Sequence, residues 1–222
     1  MRRMVIATAL SAVCVVAVEA AEQAQPLSPQ EVERRCHDYT QRADAQILAC
    51  TRIIGLYANA TGNRPLQAIA LLARGSTYSR TGDRARALAD FREAIRLDTI
   101  PIEAGEKDVA LYNDRCWARA VAGLELDMAL ADCNEALRLK ADFVAALDSR
   151  AFLQLRQKRY RDAVRDYDAT LKQNGMDPYS LYGRGVAKMR IGDTEGAKAD
   201  IAAATAAQQG IGAEFLSYGI TP

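Results

Sequence analysis

Five cysteines are the residues best suited to chemistry in this chain. They are Cys36, Cys50, Cys116 and Cys133, with Cys14 near the N-terminus. Thiols ligate metals, exchange electrons, close disulfides, or sit in a core as small apolar residues. Zinc sites bring their ligands at short spacings. Here there is no C-x-x-C, and the single histidine, His37, directly follows Cys36, so neither a metal set nor a cysteine–histidine nucleophile is expected. A redox dithiol needs an exposed, activated thiolate, and no part of the sequence marks one. The Asp and Glu residues follow helix faces and turns, without a pair that stands out for hydrolysis. Gly-rich phosphate loops and G-x-S-x-G are absent. The expectation is therefore no catalytic residue, no metal, no cofactor and no enzyme.

The fate of the thiols depends on the compartment. Arg2 and Arg3 precede Val5 to Val18, a run without a charge, and "VEAAEQA" follows with small residues where signal peptidase cuts. This is the pattern of a secretory signal over residues 1–21. The apolar run falls short of the ~20 residues that span a bilayer. The rival readings are an N-terminal membrane anchor and a lipoprotein cut before Cys14. Without residues 1–21 the basic and acidic side chains are equal in number, which argues against a nucleic-acid partner. The chain is expected to be exported, to a bacterial-type periplasm, with no integral membrane segment. Four thiols in an oxidising compartment read first as two disulfides.

The elements that position these residues repeat. "ARGSTYSRTGDRARALADFREAIRLD" (73–98) is echoed by "SRAFLQLRQKRYRDAVRDYDATL" (149–171) and "GRGVAKMRIGDTEGAKADIAAAT" (183–205). Aligned alanines fall at Ala87, Ala129, Ala163 and Ala197, the last three evenly spaced. The first gap is longer by the linker "IEAGEKD" and one turn residue. A fixed period in this range means stacked supersecondary units. Small residues recur on each first helix (Gly75, Cys116, Ala151, Gly185). A larger one follows each turn alanine by four (Phe91, Cys133, Tyr167, Ile201). Strand-like alternation is nowhere sustained.

This pattern resembles the tetratricopeptide repeat, which implies an all-α, right-handed solenoid of helix-turn-helix units. The repeats are placed at 68–101, 109–143, 144–177 and 178–211. A degenerate helical hairpin precedes them at 28–60, opened by Ser28 and Pro29. A C-terminal cap follows at 212–222, with Phe215, Leu216 and Tyr218 over the last repeat's open face. The sequence departs from the family where the closing proline is replaced by Thr99, Ala141 and Gly175, and where repeats 2 and 3 lack the Gly-Asp turn.

Within that frame Cys116 sits at the tight-packing position of a first helix and Cys133 faces it from the second; Cys36 and Cys50 stand alike in the N-terminal hairpin. Cys36–Cys50 and Cys116–Cys133 are the expected disulfides, with buried free thiols as the alternative. An arginine precedes each small first-helix residue, and an aspartate follows at the matching place of each second helix: Arg74/Asp90, Arg115/Asp132, Arg150/Asp166, Arg184/Asp200. The family more often has apolar residues there, so joint replacement predicts a structural ion pair in each repeat.

The resemblance also implies a concave groove lined by first helices. The positions carried over are Arg80, Asn113, Trp117, Asp148, Phe152, Arg156, Tyr179, Tyr182, Met189 and Arg190. Aromatic residues with arginines suit a protein or peptide partner. The expected function is a non-catalytic binding scaffold or adaptor of the cell envelope. The alternatives are an assembly or chaperone factor holding unfolded clients, and a thiol-disulfide-active protein.

Overall fold

The amphipathic stretches become helices. The computed structural model describes residues 28–38, 42–58 and 64–222. These form eleven helices and, among the described residues, no strand. They are α1 (Pro29–Cys36), α2 (Ala43–Tyr57), α3 (Arg64–Arg80), α4 (Arg84–Glu103), α5 (Val109–Ala122), α6 (Leu126–Leu139), α7 (Val144–Arg156), α8 (Tyr160–Asn174), α9 (Pro178–Arg190), α10 (Thr194–Ala207) and α11 (Ile211–Ser217). The predicted signal, residues 1–21, lies outside the described residues, as do 39–41, 59 and 60 of the predicted hairpin.

Short polar residues start the helices. The side chains of Ser28, Asp83, Asp108, Asp177 and Asp193 each accept a backbone N–H of the first turn, satisfying donors that a helix start leaves open. The turn between paired helices needs a left-handed residue, and the α5/α6 turn has two, Gly123 (φ 70°) and Glu125 (φ 45°). Gly82 (φ 86°) and Gly192 (φ 90°) supply it in the α3/α4 and α9/α10 turns. The α7/α8 turn has no glycine there, and Lys158 takes the same place at φ 61°, a conformation that costs a side chain about 1 kcal/mol.

Consecutive helices pack as hairpins, α1/α2 through α9/α10, and α3, α5, α7 and α9 also touch in sequence to make one layer. The small positions set the spacing within a hairpin. A Cβ on Gly75 would lie 2.7 Å from the Phe91 ring, and one on Gly185 2.7 Å from the Ile201 side chain. The four turn alanines are buried against these positions. One apolar core runs from Ala68 to Ile220, and a second joins Val32, Cys36, Ala49, Cys50 and Ile53 to Ala70 and Ala73 of α3. Among the described residues no helix is long and apolar enough to cross a membrane.

The C-terminal segment departs from the sequence reading. It does not merely cover the last pair: α11 touches α9 and α10 and also reaches α3 of the first full pair. It therefore lies across the layer of first helices. Phe215 and Tyr218 are buried, but Leu216, predicted to pack with them, is 60% exposed. Residues three apart share one face of a helix, whereas the next residue points about 100° away.

Candidate functional site

Two constellations stand out, one behind the layer of first helices and one on it. The first is an arginine–aspartate ladder. Arg74 grips Asp90 with Nε and Nη2 at 2.8 and 2.7 Å. Arg115 holds Asp132 in the same way at 2.9 and 2.6 Å, Arg150 holds Asp166 at 2.7 and 2.9 Å, and Arg184 holds Asp200 at 2.7 and 2.7 Å. Each is a two-point fork, the geometry that suits a guanidinium on a carboxylate. The Asp90 hydrogen bond raises the pKa of Arg74, and Asp200 does the same for Arg184. Burial alone would raise Asp200, but Arg184 and Lys188 together hold it below the usual carboxylate value.

Sequence reasoning missed the third contact. Nη1 of each ladder arginine donates to the preceding hairpin's second helix, at Thr51 (2.9 Å), Thr99 (3.1 Å), Asn134 (3.0 Å) and Asp168 (2.8 Å). Each arginine thus ties three helices together. The available signal was a polar side chain at one fixed spacing before Arg115, Arg150 and Arg184, hidden because it is threonine, asparagine or aspartate. Arg119, also unforeseen, adds a second guanidinium to Asp132 and pairs with Glu125.

The cysteines lie within hairpins. Cys36 and Cys50 are bonded at 2.15 Å, and Cys116 and Cys133 at 2.00 Å. All four are fully buried. Among the described residues no group of histidine, cysteine or carboxylate side chains is arranged to hold a metal.

The second constellation is the groove, and the chain's own C-terminal segment sits in it. Trp117 of α5 packs on Phe152 of α7 and Tyr179 of α9, with centroids 5.0 and 5.6 Å apart. Phe215 seats against Tyr179 (4.5 Å), Tyr182 (4.8 Å) and Phe152 (5.8 Å). Tyr218 packs on Phe152 at 5.7 Å and Trp117 at 6.4 Å. Arg156 Nη1 donates to the carbonyls of Val121 (3.1 Å) and Tyr218 (2.9 Å). Arg190 donates to those of Thr221 and Pro222 at 3.1 and 3.2 Å.

The remaining groove positions divide. Asn113 is buried and bonded to Ser149 (2.9 Å) and Asp114 (3.0 Å), so it joins α5 to α7. Phe152 is fully buried. Arg80 is turned to Gln46 of α2 at 2.9 Å. Met189 is half-buried. Asp148 accepts from Ser180 at 2.5 Å, and burial pushes its carboxyl up to about 7. It lines a 380 Å³ cavity with Trp117, Tyr179, Asp177 and Glu214.

These helix pairs, their spacing and their small-residue contacts are those of a known repeat: residues 68–100 match the tetratricopeptide repeat family. The chain is 30% identical over 105 residues, 47% of its length, to the DnaJ homolog subfamily C member 7 homolog of Dictyostelium discoideum, of which it spans 18%. Among solved structures it is similar to YrrB, described as a TPR protein with an unusual peptide-binding site. The identity is 14%, covering 87% of this chain and 100% of that one, with a TM-score of 0.47. It is also similar to MamA, at 17% identity over 82% of this chain and 95% of that one, TM-score 0.42. Tetratricopeptide repeats build protein-interaction scaffolds, and in this chain the layer of first helices carries the aromatic residues.

Proposed function

We propose that this chain is a non-catalytic scaffold whose groove binds an aromatic-bearing helical segment of a partner protein. One observation carries the reading: the groove already holds such a segment, α11, with Phe215 and Tyr218 in an aromatic cradle and arginines on its backbone carbonyls. Rings of this size bring large contact areas and orientation-dependent stacking. A surface that accepts its own helix in this way is shaped for another. The repeat units are taken as 68–101, 109–143, 144–177 and 178–211, and the binding positions as Trp117, Phe152, Arg156, Tyr179, Tyr182 and Arg190, with Arg80, Asn113, Asp148 and Met189 beside them.

The compartment proposed is an exported, oxidising one, the bacterial-type envelope. Two disulfides within single hairpins support it, as does the N-terminal run of arginines, apolar and small residues. Full burial of all four cysteines speaks against thiol exchange, which needs an accessible sulfur. The test is calorimetric titration of a peptide of residues 209–222 into the chain with its own segment weakened by Phe215→Ala. Saturable binding that Trp117→Ala removes is the expected result. Absence of binding would sink the groove as a peptide site.

A further inference from the structure

The two ends of the groove differ in charge. Around α11 lie three cavities. The 380 Å³ cavity beside Trp117 is lined by the carboxylates Asp148, Asp177 and Glu214 and by no cation. The other two flank the last residues of the segment and share Arg156 as a common wall. One, of 270 Å³, holds Arg84 and Arg156; the other, of 190 Å³, holds Arg156, Lys158 and Arg190. Neither of these two has a carboxylate in its lining.

Arg156 is the centre of the imbalance. Each ladder arginine, half-buried as Arg156 is, faces an aspartate. Arg156 faces only the carbonyls of Val121 and Tyr218. Burial pulls its pKa down, and Arg84 nearby adds a like charge. Among the described residues, Arg84, Arg156, Lys158 and Arg190 make no ion pair with a carboxylate side chain. The C-terminal segment meets Arg156 with the Tyr218 carbonyl, and Arg190 with the Thr221 carbonyl and hydroxyl and a Pro222 main-chain oxygen. A carboxylate in the same place makes charge-assisted hydrogen bonds, roughly twice as strong as neutral ones.

We infer that the partner segment is acidic at one end: two aromatic residues three apart, then Asp or Glu side chains lying over Arg84, Arg156 and Arg190. This rests on the groove reading above and names its ligand class. Such a segment has an advantage over residues 211–222, which explains how a tethered occupant is displaced. The opposite polarity is disfavoured, since the aromatic end of the groove keeps Asp148 and Asp177 in its wall when Glu214 leaves with the segment.

The test uses fluorescence anisotropy with three labelled peptides of residues 209–222. One is unchanged, one carries Ser217→Asp and Thr221→Glu, and one carries Ser217→Lys and Thr221→Lys. Each is titrated with the full chain bearing Phe215→Ala, and again with Tyr218→Ala so that the result does not hang on one variant. The acidic peptide is expected to bind about tenfold tighter than the unchanged one at low salt, and the basic peptide weakest. The order is expected to collapse at high salt and in a chain with Arg84→Gln and Arg190→Gln, both exposed positions. Equal affinity of the three peptides overturns the inference and leaves the groove as a peptide site. No binding of any peptide overturns both.

Discussion

Arg156 and Tyr218 are far apart in sequence, and the guanidinium Nη1 of the first donates to the backbone carbonyl of the second at 2.9 Å. The same nitrogen reaches Val121, so one side chain fastens the C-terminal segment to α5 and α7 together. This contact, with Phe215 and Tyr218 beside it, turns the groove into an occupied site.

The occupant is expected to leave locally. Phe215 is fully buried between Tyr179, Tyr182 and Phe152, and truncating such a ring costs about 3–5 kcal/mol. The cost falls on a short helix at the end of the described chain. Phe215→Ala is therefore expected to shift Trp117 emission to the red while far-UV circular dichroism stays close to that of the parent. An unchanged Trp117 spectrum would show that the segment remains docked.

The ladder should be measurably coupled. Arg150 and Asp166 keep 24% and 12% of their side-chain surface, so solvent screens the pair in part. A two-point fork with a third anchor on Asn134 exceeds an ordinary surface bridge. A double-mutant cycle of Arg150→Ala with Asp166→Ala is expected to give a coupling of about 1–2 kcal/mol. Asn134→Ala should lower it. A coupling near zero would mean that the four forks only decorate the surface.

The two disulfides close loops of similar length, with sequence separations of 14 and 17, so chain entropy predicts about 3 kcal/mol for each. Their surroundings differ. Cys116–Cys133 sits in the main core and Cys36–Cys50 in the small N-terminal one. Cys116→Ala with Cys133→Ala should lower the global unfolding midpoint. Cys36→Ala with Cys50→Ala should speed hydrogen exchange in α1 and α2, leaving α5 to α10 protected. Equal exchange throughout would reject this division.

Asp98 predicts a pH dependence. It is 1% exposed, and its Oδ2 has no partner. Burial first, then the Asp114 carboxylate, pushes its pKa up to about 8, against the pull of Arg115. A raised folded value means that its stabilising contribution is full below the unfolded value and is lost as pH rises through about 8. Asp98→Asn removes that loss. Urea titrations near pH 4 and pH 9 should show the variant gaining on the parent at the higher pH, by about 1–2 kcal/mol. The reverse trend would contradict a buried, protonated Asp98.

Much of the architecture was legible because it is local. Helix pairs repeat with a near-constant period, so turn alanines, small first-helix residues and arginine–aspartate spacings recur in register. A helical hairpin brings Arg150 and Asp166 face to face whatever surrounds it, and the other three forks likewise. The cysteines follow the same rule, since each bonded pair lies within one hairpin. The aromatic groove positions were named only through the resemblance to the tetratricopeptide repeat, which implies which face of each first helix lines a groove.

What only the tertiary structure decided joins residues that no period relates. The Nη1 anchors are chemically mixed and lie on a neighbouring hairpin, so they leave no repeated signal. Asp98 looks like any helix-surface aspartate until α4, α5 and their charges close around it. The C-terminal segment reads in sequence as a cap for the nearest helices. Its place in the groove depends on the solenoid's curvature, which brings α3 within reach of α11, and on which stripe of that short helix turns inward. Periodicity specifies each hairpin; the summed rotation between hairpins specifies what the groove can hold, and that quantity exists only in three dimensions.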